Sequence, residues 1–150
     1  MIGIMLMATI SSPAVAADWH LDWIIQSPDQ SALIFVDVET LRRNGRLVRY
    51  WKDEWIDPPI GSAERPFNRL RALVEADCSE RKFRSLANET YFDEKPLGSL
   101  GPIGWNYAGP DTANDHEIRK VCSGGWTKEA FDPSQIAKRI LSDLKLRGQR

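Results

Sequence analysis

From Trp19 onward the chain alternates in twos. Trp19, Leu21, Trp23 and Ile25 recur at every second position against Asp22, Ile24 and Gln26, the period of a strand with one buried face. Ser27-Pro28-Asp29 then reads as a turn, and Ser31 to Val38, rich in Leu, Ile, Phe and Val with Asp37 near its end, as a second strand. Asn44-Gly45, between Leu41–Arg43 and Arg46–Ile56, is the strongest hairpin signal in the chain. A type I′ turn needs positive φ at both central residues, so Asn44 and Gly45 are expected to be its centre. On the outgoing strand Val48, Tyr50 and Ile56 share one face, while Leu47, Trp51 and Trp55 share the other. Apolar groups on both sides call for a partly covered sheet or for a face offered to a partner.

Asp57-Pro58-Pro59 through Pro66 has the Pro, Gly and Ser content of a loop of about ten residues. Leu70, Ala72, Val74, Ala76 and Cys78 alternate with Arg71, Glu75 and Asp77, a strand that aims Cys78 inward. Arg81–Phe92 is its expected neighbour across a turn at Ser79 and Glu80, and Asp93–Gly104 reads as an exposed loop. Asp111 or Thr112 can cap a helix on which Ile118, Val121 and Cys122 share a face, stopped by Ser123-Gly124-Gly125. Asp132-Pro133-Ser134-Gln135 starts a second helix. Its stripe of Ile136, Ala137, Ile140, Leu141 and Leu144 must cover either its own sheet or a second chain, with Lys138, Arg139, Asp143 and Lys145 opposite. The expected fold is α+β: an antiparallel β-sheet of about six strands packed by a helix before Cys122 and by a second, C-terminal helix.

Residues 1–10 form an apolar run of the length of a signal-peptide core, followed by Ser11, Ser12, Pro13 and the small residues Ala14 to Ala17. No Lys or Arg precedes Arg42, so the usual basic flank is missing. The run is still shorter than the roughly 20 residues of a membrane span and ends in a cleavage-like site. Residues 1–17 are therefore read as a signal peptide cut after Ala16 or Ala17, with no membrane span in the mature chain. Residues 18–122 make up the main domain and residues 123–150 a helical extension. No Cys follows the apolar run to take a lipid anchor. A periplasmic, secreted or cell-surface location follows, and in an oxidising compartment Cys78 and Cys122 are expected to pair. Closing that loop of about 44 residues is worth roughly 4 kcal/mol.

Twenty basic and twenty-one acidic side chains leave a net charge of -1, which argues against a general grip on nucleic acid or an anionic membrane. Two histidines without a close Cys pair argue against zinc. His20 and His116 lack a nucleophile motif such as Gly-x-Ser-x-Gly, so no catalytic residue is assigned. Asp53, Glu54 and Asp57 fit no calcium-loop spacing and read as a solvated strand end. Two binding features are left. Arg42, Arg43, Arg46 and Arg49 gather at the hairpin as a site for an acidic partner, such as a sulfated glycan or an acidic protein patch. Trp51 and Trp55, with Arg49 on their face, form either an exposed aromatic stripe for a protein or sugar, or core beneath the last helix.

The motifs taken together resemble a family. Phe35-Val36-Asp37, Thr40-Leu41-Arg42-Arg43-Asn44-Gly45, the strand with Val48 and Trp51, Glu75-Ala76-Asp77-Cys78 with Arg81 to Leu86, Trp105, Pro110-Asp111-Thr112 and Ile118-Arg119-Lys120-Val121-Cys122 follow in the order seen in surface-adhesin protein E of bacterial envelopes. The resemblance runs from about Trp19 to Cys122. It implies an antiparallel sheet with a packed helix, surface or periplasmic placement, adhesion to host matrix or serum proteins, haem binding and a homodimer. The extension after Cys122 and the missing lipidation Cys depart from that pattern. The expected function is a non-catalytic exported domain that binds a protein ligand; the alternative is an accessory periplasmic protein dimerised through its last helix. N-terminal sequencing of the exported protein is expected to begin at Ala17 or Asp18, and an intact Met1 would refute the cleavage.

Overall fold

A computed structural model describes residues 17–127 and 129–148, so residues 1–16 of the expected signal peptide lie outside it. Seven strands and two helices follow one another: β1 (Trp19–Gln26), β2 (Ser31–Asn44), β3 (Leu47–Ser62), β4 (Arg65–Asp77), β5 (Lys82–Phe92), β6 (Lys95–Ser99), β7 (Ile103–Tyr107), α1 (Ala113–Ser123) and α2 (Pro133–Gly148). The α+β expectation holds. β1 to β6 pair antiparallel in chain order, and β7 pairs with β5 beside β6.

Three local expectations are corrected. The first hairpin turns on Gly45 and Arg46, because Asn44 already pairs with Leu47. Positive φ is needed only at Gly45 (59°), as in a turn with glycine at its first central position. The long loop expected from Asp57 to Pro66 is instead a hairpin arm in which Ile60 pairs with Phe67 and Ser62 with Arg65. The ladder shifts register between Trp55 and Ile60, which lets Pro58 and Pro59 pass without the N–H groups that pairing would require. Gly61 makes the bend tight, since a Cβ there would lie 2.7 Å from the Arg65 carbonyl oxygen. Finally, the segment expected as a loop after Asp93 holds β6 and β7, five residues each and exposed throughout.

The apolar groups on both sides of β3 are covered by two different helices. Val48 and Tyr50 join Val36, Ala72, Val74 and Ala76 under Ile118 and Val121 of α1. Trp55 joins Trp19, Leu33 and Phe35 under Ala137 of α2, with Trp51, Ile136, Ile140 and Leu141 at the margin. The result is three layers, helix on sheet on helix, with α1 and α2 on opposite faces. Thr112 rather than Asp111 caps α1, accepting the Asp115 N–H at 3.3 Å, and Gly124 ends it. Asp132 caps α2 through Ser134, and the Phe131 N–H donates to the Trp19 carbonyl, tying the approach to α2 onto β1.

Cys78, just past β4, and Cys122, in the last turn of α1, form a disulfide with Cα atoms 5.7 Å apart. One short helix is thereby fixed to the sheet beneath it. Replacing both cysteines by serine is expected to remove about 4 kcal/mol of unfolding free energy in a urea titration, and a loss below about 1 kcal/mol would show that the brace contributes little.

Candidate functional site

Side chains directly opposite on neighbouring strands project to the same face, so the register lists what shares a surface. One row runs Arg42, Arg49, Glu75 and Arg84 across β2, β3, β4 and β5. The next runs Asn44, Leu47, Asp77, Lys82 and Tyr107 and ends on β7. Both lie on the α2 side of the sheet. However, α2 covers only the half that carries Trp51 and Trp55, so the hairpin half of this face is open. Trp105 completes it, with the Arg84 guanidinium 4.7 Å and the Lys82 amine 5.3 Å from its ring.

Glu75, 4% exposed, is the hinge of the first row. Arg49 Nη2 donates to its Oε2 at 2.7 Å and Arg84 Nη2 to its Oε1 at 2.5 Å, so one carboxylate is gripped from both sides. Burial alone would raise its pKa, but hydrogen bonds and charge from Arg49 and Arg84 outweigh burial and hold it below the ordinary glutamate value. Arg46 Nε is 3.0 Å from Asp77 Oδ2, and Lys82 Nζ is 2.7 Å from Glu80. Arg42 donates only to the Glu39 and Leu41 carbonyls, at 2.7 and 2.9 Å, so its charge has no carboxylate partner among the described residues. A groove of about 230 Å³ lies between Arg42, Asn44, Leu47, Arg49 and Glu75, bordered by Arg43.

The residues singled out from sequence separate. Arg42 and Arg49 belong to the open face, and Arg46 sits in the turn beside it. The Arg43 guanidinium instead donates to the Cys122 carbonyl at 2.5 Å, next to the disulfide. Trp55 is 2% exposed and Trp51 is half-buried, both at the α2 interface, so the exposed stripe is ruled out in favour of core packing. Asp53 is no solvated strand end: it is fully buried and held by Arg69 at 2.5 Å and Arg71 at 3.2 Å. Glu75, Lys82, Arg84, Trp105 and Tyr107 escaped the sequence reading because they join the hairpin only through the order of the strands. Lys82-x-Arg84 and Trp105-x-Tyr107, each pair two apart, were the available signal.

The other face holds an internal polar group beneath α1. Tyr50 donates to Glu117 at 2.5 Å, Lys52 pairs with Glu117 at 3.3 Å, and Lys120 pairs with Asp22 at 3.2 Å. Burial and then the Glu117 charge raise the Asp22 carboxyl above its ordinary value, against the pull of Lys120 and His116. His20 lies 3.1 Å from Asp18 but is poorly aligned for a hydrogen bond, and it is enclosed beside Trp126. His116 lies against Trp23, ring centroids 4.1 Å apart. His20 is enclosed with both ring nitrogens and does not fit axial ligation of a haem, whereas His116, tilted against the indole with its side chain 39% exposed, is the one imidazole of the two with solvent access. Among the described residues no cluster of His, Cys, Asp and Glu is arranged for a metal ion, and no helix is long and apolar enough to cross a membrane.

Fold and face together define a disulfide-braced sheet domain with a helix on each side and one open surface of arginines and aromatics. The chain belongs to the surface-adhesin protein E family, whose model matches residues 23–123. The match takes in the second half of β1, all of β2 to β7, and α1, and stops before α2. Membership points to a surface adhesin role and to surface or secreted placement. No curated protein matches the chain.

Because Glu75 has a depressed pKa, its stabilising contribution is complete above the ordinary value of 4.5 and is lost as pH falls through the lower folded value. Its partners are half-exposed, so Glu75→Gln is expected to cost only about 1 kcal/mol at pH 7. In urea titrations that difference should shrink as pH drops below 4.5; a pH-independent difference would contradict the ion-pair account.

Proposed function

We propose that this protein is an exported, non-catalytic adhesive domain that engages a host or envelope protein through the open half of the α2-side face. The open face itself carries the reading. Its cations and its aromatics, Trp105 and Tyr107, meet on one surface with no element over them among the described residues. Exposed aromatics beside arginines have the composition of a recognition surface. Family membership supports the adhesive role, and the signal-like N-terminus supports export to the periplasm or beyond it.

The alternative, an accessory protein dimerised through its last helix, loses its motive. The α2 stripe is spent on Trp19, Leu33, Phe35 and Trp55 of its own chain.

Purified exported protein is expected to bind immobilised matrix or serum proteins, or envelope extracts, saturably. Trp105→Ala with Tyr107→Ala, at exposed positions, should weaken that binding by about tenfold while leaving the melting transition in place. No saturable binding to any of these surfaces would refute the adhesive role; unchanged binding by the double variant would refute the face.

A further inference from the structure

We infer that the open face takes a sulfated polysaccharide chain carried by the protein it engages, laid across the strands from Arg42 to Trp105; the inference rests on the adhesive reading and names the chemistry of its ligand.

The cations form a track. Arg42, Arg49 and Arg84 stand in one row, and from β2 to β5 that row crosses three strand spacings, about 14 Å. Trp105 lies past its end, on β7. Four cationic side chains on this face, Arg42, Arg49, Lys82 and Arg84, and Arg46 in the turn beside it meet three carboxylates, Glu75, Asp77 and Glu80. The face thus carries a local excess of positive charge on a chain whose net charge is -1. The ligand is selected by this patch and not by the field of the whole molecule.

The arginines also keep donors available. Arg49 and Arg84 each use Nε and Nη2 on Glu75, which leaves Nη1 of each uncommitted, and Arg42 uses only Nη1. The Arg49 and Arg84 side chains are 53% and 38% exposed. Glu75 holds two planar forks in place, so less rotamer freedom is lost when they meet a sulfate, whose oxygens accept paired N–H donors. The groove beside Arg42 and Arg49, about 230 Å³, falls below the roughly 300 Å³ at which small-molecule sites begin. It suits one anionic substituent of a longer chain.

Trp105 favours a glycan over an acidic protein. Trp105 is 39% exposed with the Lys82 and Arg84 cations against its ring, and the part of the indole they leave open can meet the C–H bonds of a pyranose ring. An acidic protein patch would need apolar anchors at the centre of its contact, ringed by polar groups. Here the aromatics stand at one end and the centre is charged.

The test uses oxidised exported protein and heparin oligosaccharides in titration calorimetry. The same oligosaccharides after chemical desulfation, a polyglutamate chain and single-stranded DNA serve as further arms. Binding to the sulfated chain should weaken as salt rises, and the desulfated chain should bind at least about tenfold more weakly. Arg42→Gln and Arg84→Gln, the latter leaving Arg49 on Glu75, should each weaken binding several-fold and lower the salt slope by about one. Arg84→Lys, which keeps the charge without the fork, should fall between wild type and Arg84→Gln. Equal affinity for the desulfated chain, polyglutamate or DNA would overturn the inference, as would unchanged affinity in both glutamine variants. Capture by matrix proteins before and after enzymatic removal of their sulfated chains separates the two readings. Loss of capture supports the glycan; persistence overturns it and leaves protein adhesion standing. Binding of free heparin with no capture by matrix proteins keeps the glycan and removes host-protein adhesion.

Discussion

The central strand β3 has to bury large side chains on both of its faces, and the rest of the architecture answers to that constraint. Tyr50 and Val48 project one way, Trp55 and Trp51 the other. A single sheet left uncovered on either side would expose an indole or a phenol to water, at a cost of a few kcal/mol for each large side chain. Two short helices close the two faces. They are secured differently: α1 by a covalent link to the end of β4, and α2 by the Phe131 link to β1 together with its apolar stripe. Neither helix is long enough to cover its whole face, and the part of the α2 face left bare is where the arginine row lies.

Charge is handled in two ways on this small sheet. Asp53 with Arg69, and Glu117 with Lys52 and Tyr50, are nearly closed to solvent, and groups of this kind are satisfied internally because an unpaired buried charge is costly. Around Glu75 the same chemistry is turned outward. One buried carboxylate organises two half-exposed guanidiniums, which keep much of their solvent contact and some of their donors. The internal pairs fix position. The outward set offers a pre-ordered anion-binding surface, which is how one ion-pair vocabulary serves both folding and recognition.

The sequence discloses local periodicity well and lateral neighbourhood poorly. β1, the start of β2, β4 and β5, both helices and the cysteine pair were legible, since alternation, capping residues and thiol count are written along the chain. β6 and β7 were not, because five-residue exposed strands rich in Gly and Pro carry little apolar alternation. The arm around Pro58 and Pro59 was hidden by the residues that usually end strands. The open face was half legible: Arg42 and Arg49 are neighbours through a hairpin, whereas Glu75, Arg84 and Trp105 arrive from later strands whose order no local pattern specifies. The Trp51–Trp55 ambiguity was likewise decided by α2, more than seventy residues downstream of Trp55 by numbering.

The place where the family match stops has its own consequence. Ala137 of α2 is fully buried among Trp19, Leu33, Phe35 and Trp55, beyond residue 123 where the shared segment ends. The unit recognisable by descent is therefore smaller than the unit that can stand in water by itself. A protease nicking the stretch between the helices would loosen that lid and bare a sticky, indole-lined slab, so the durability of this domain depends on a piece that lies beyond the shared segment.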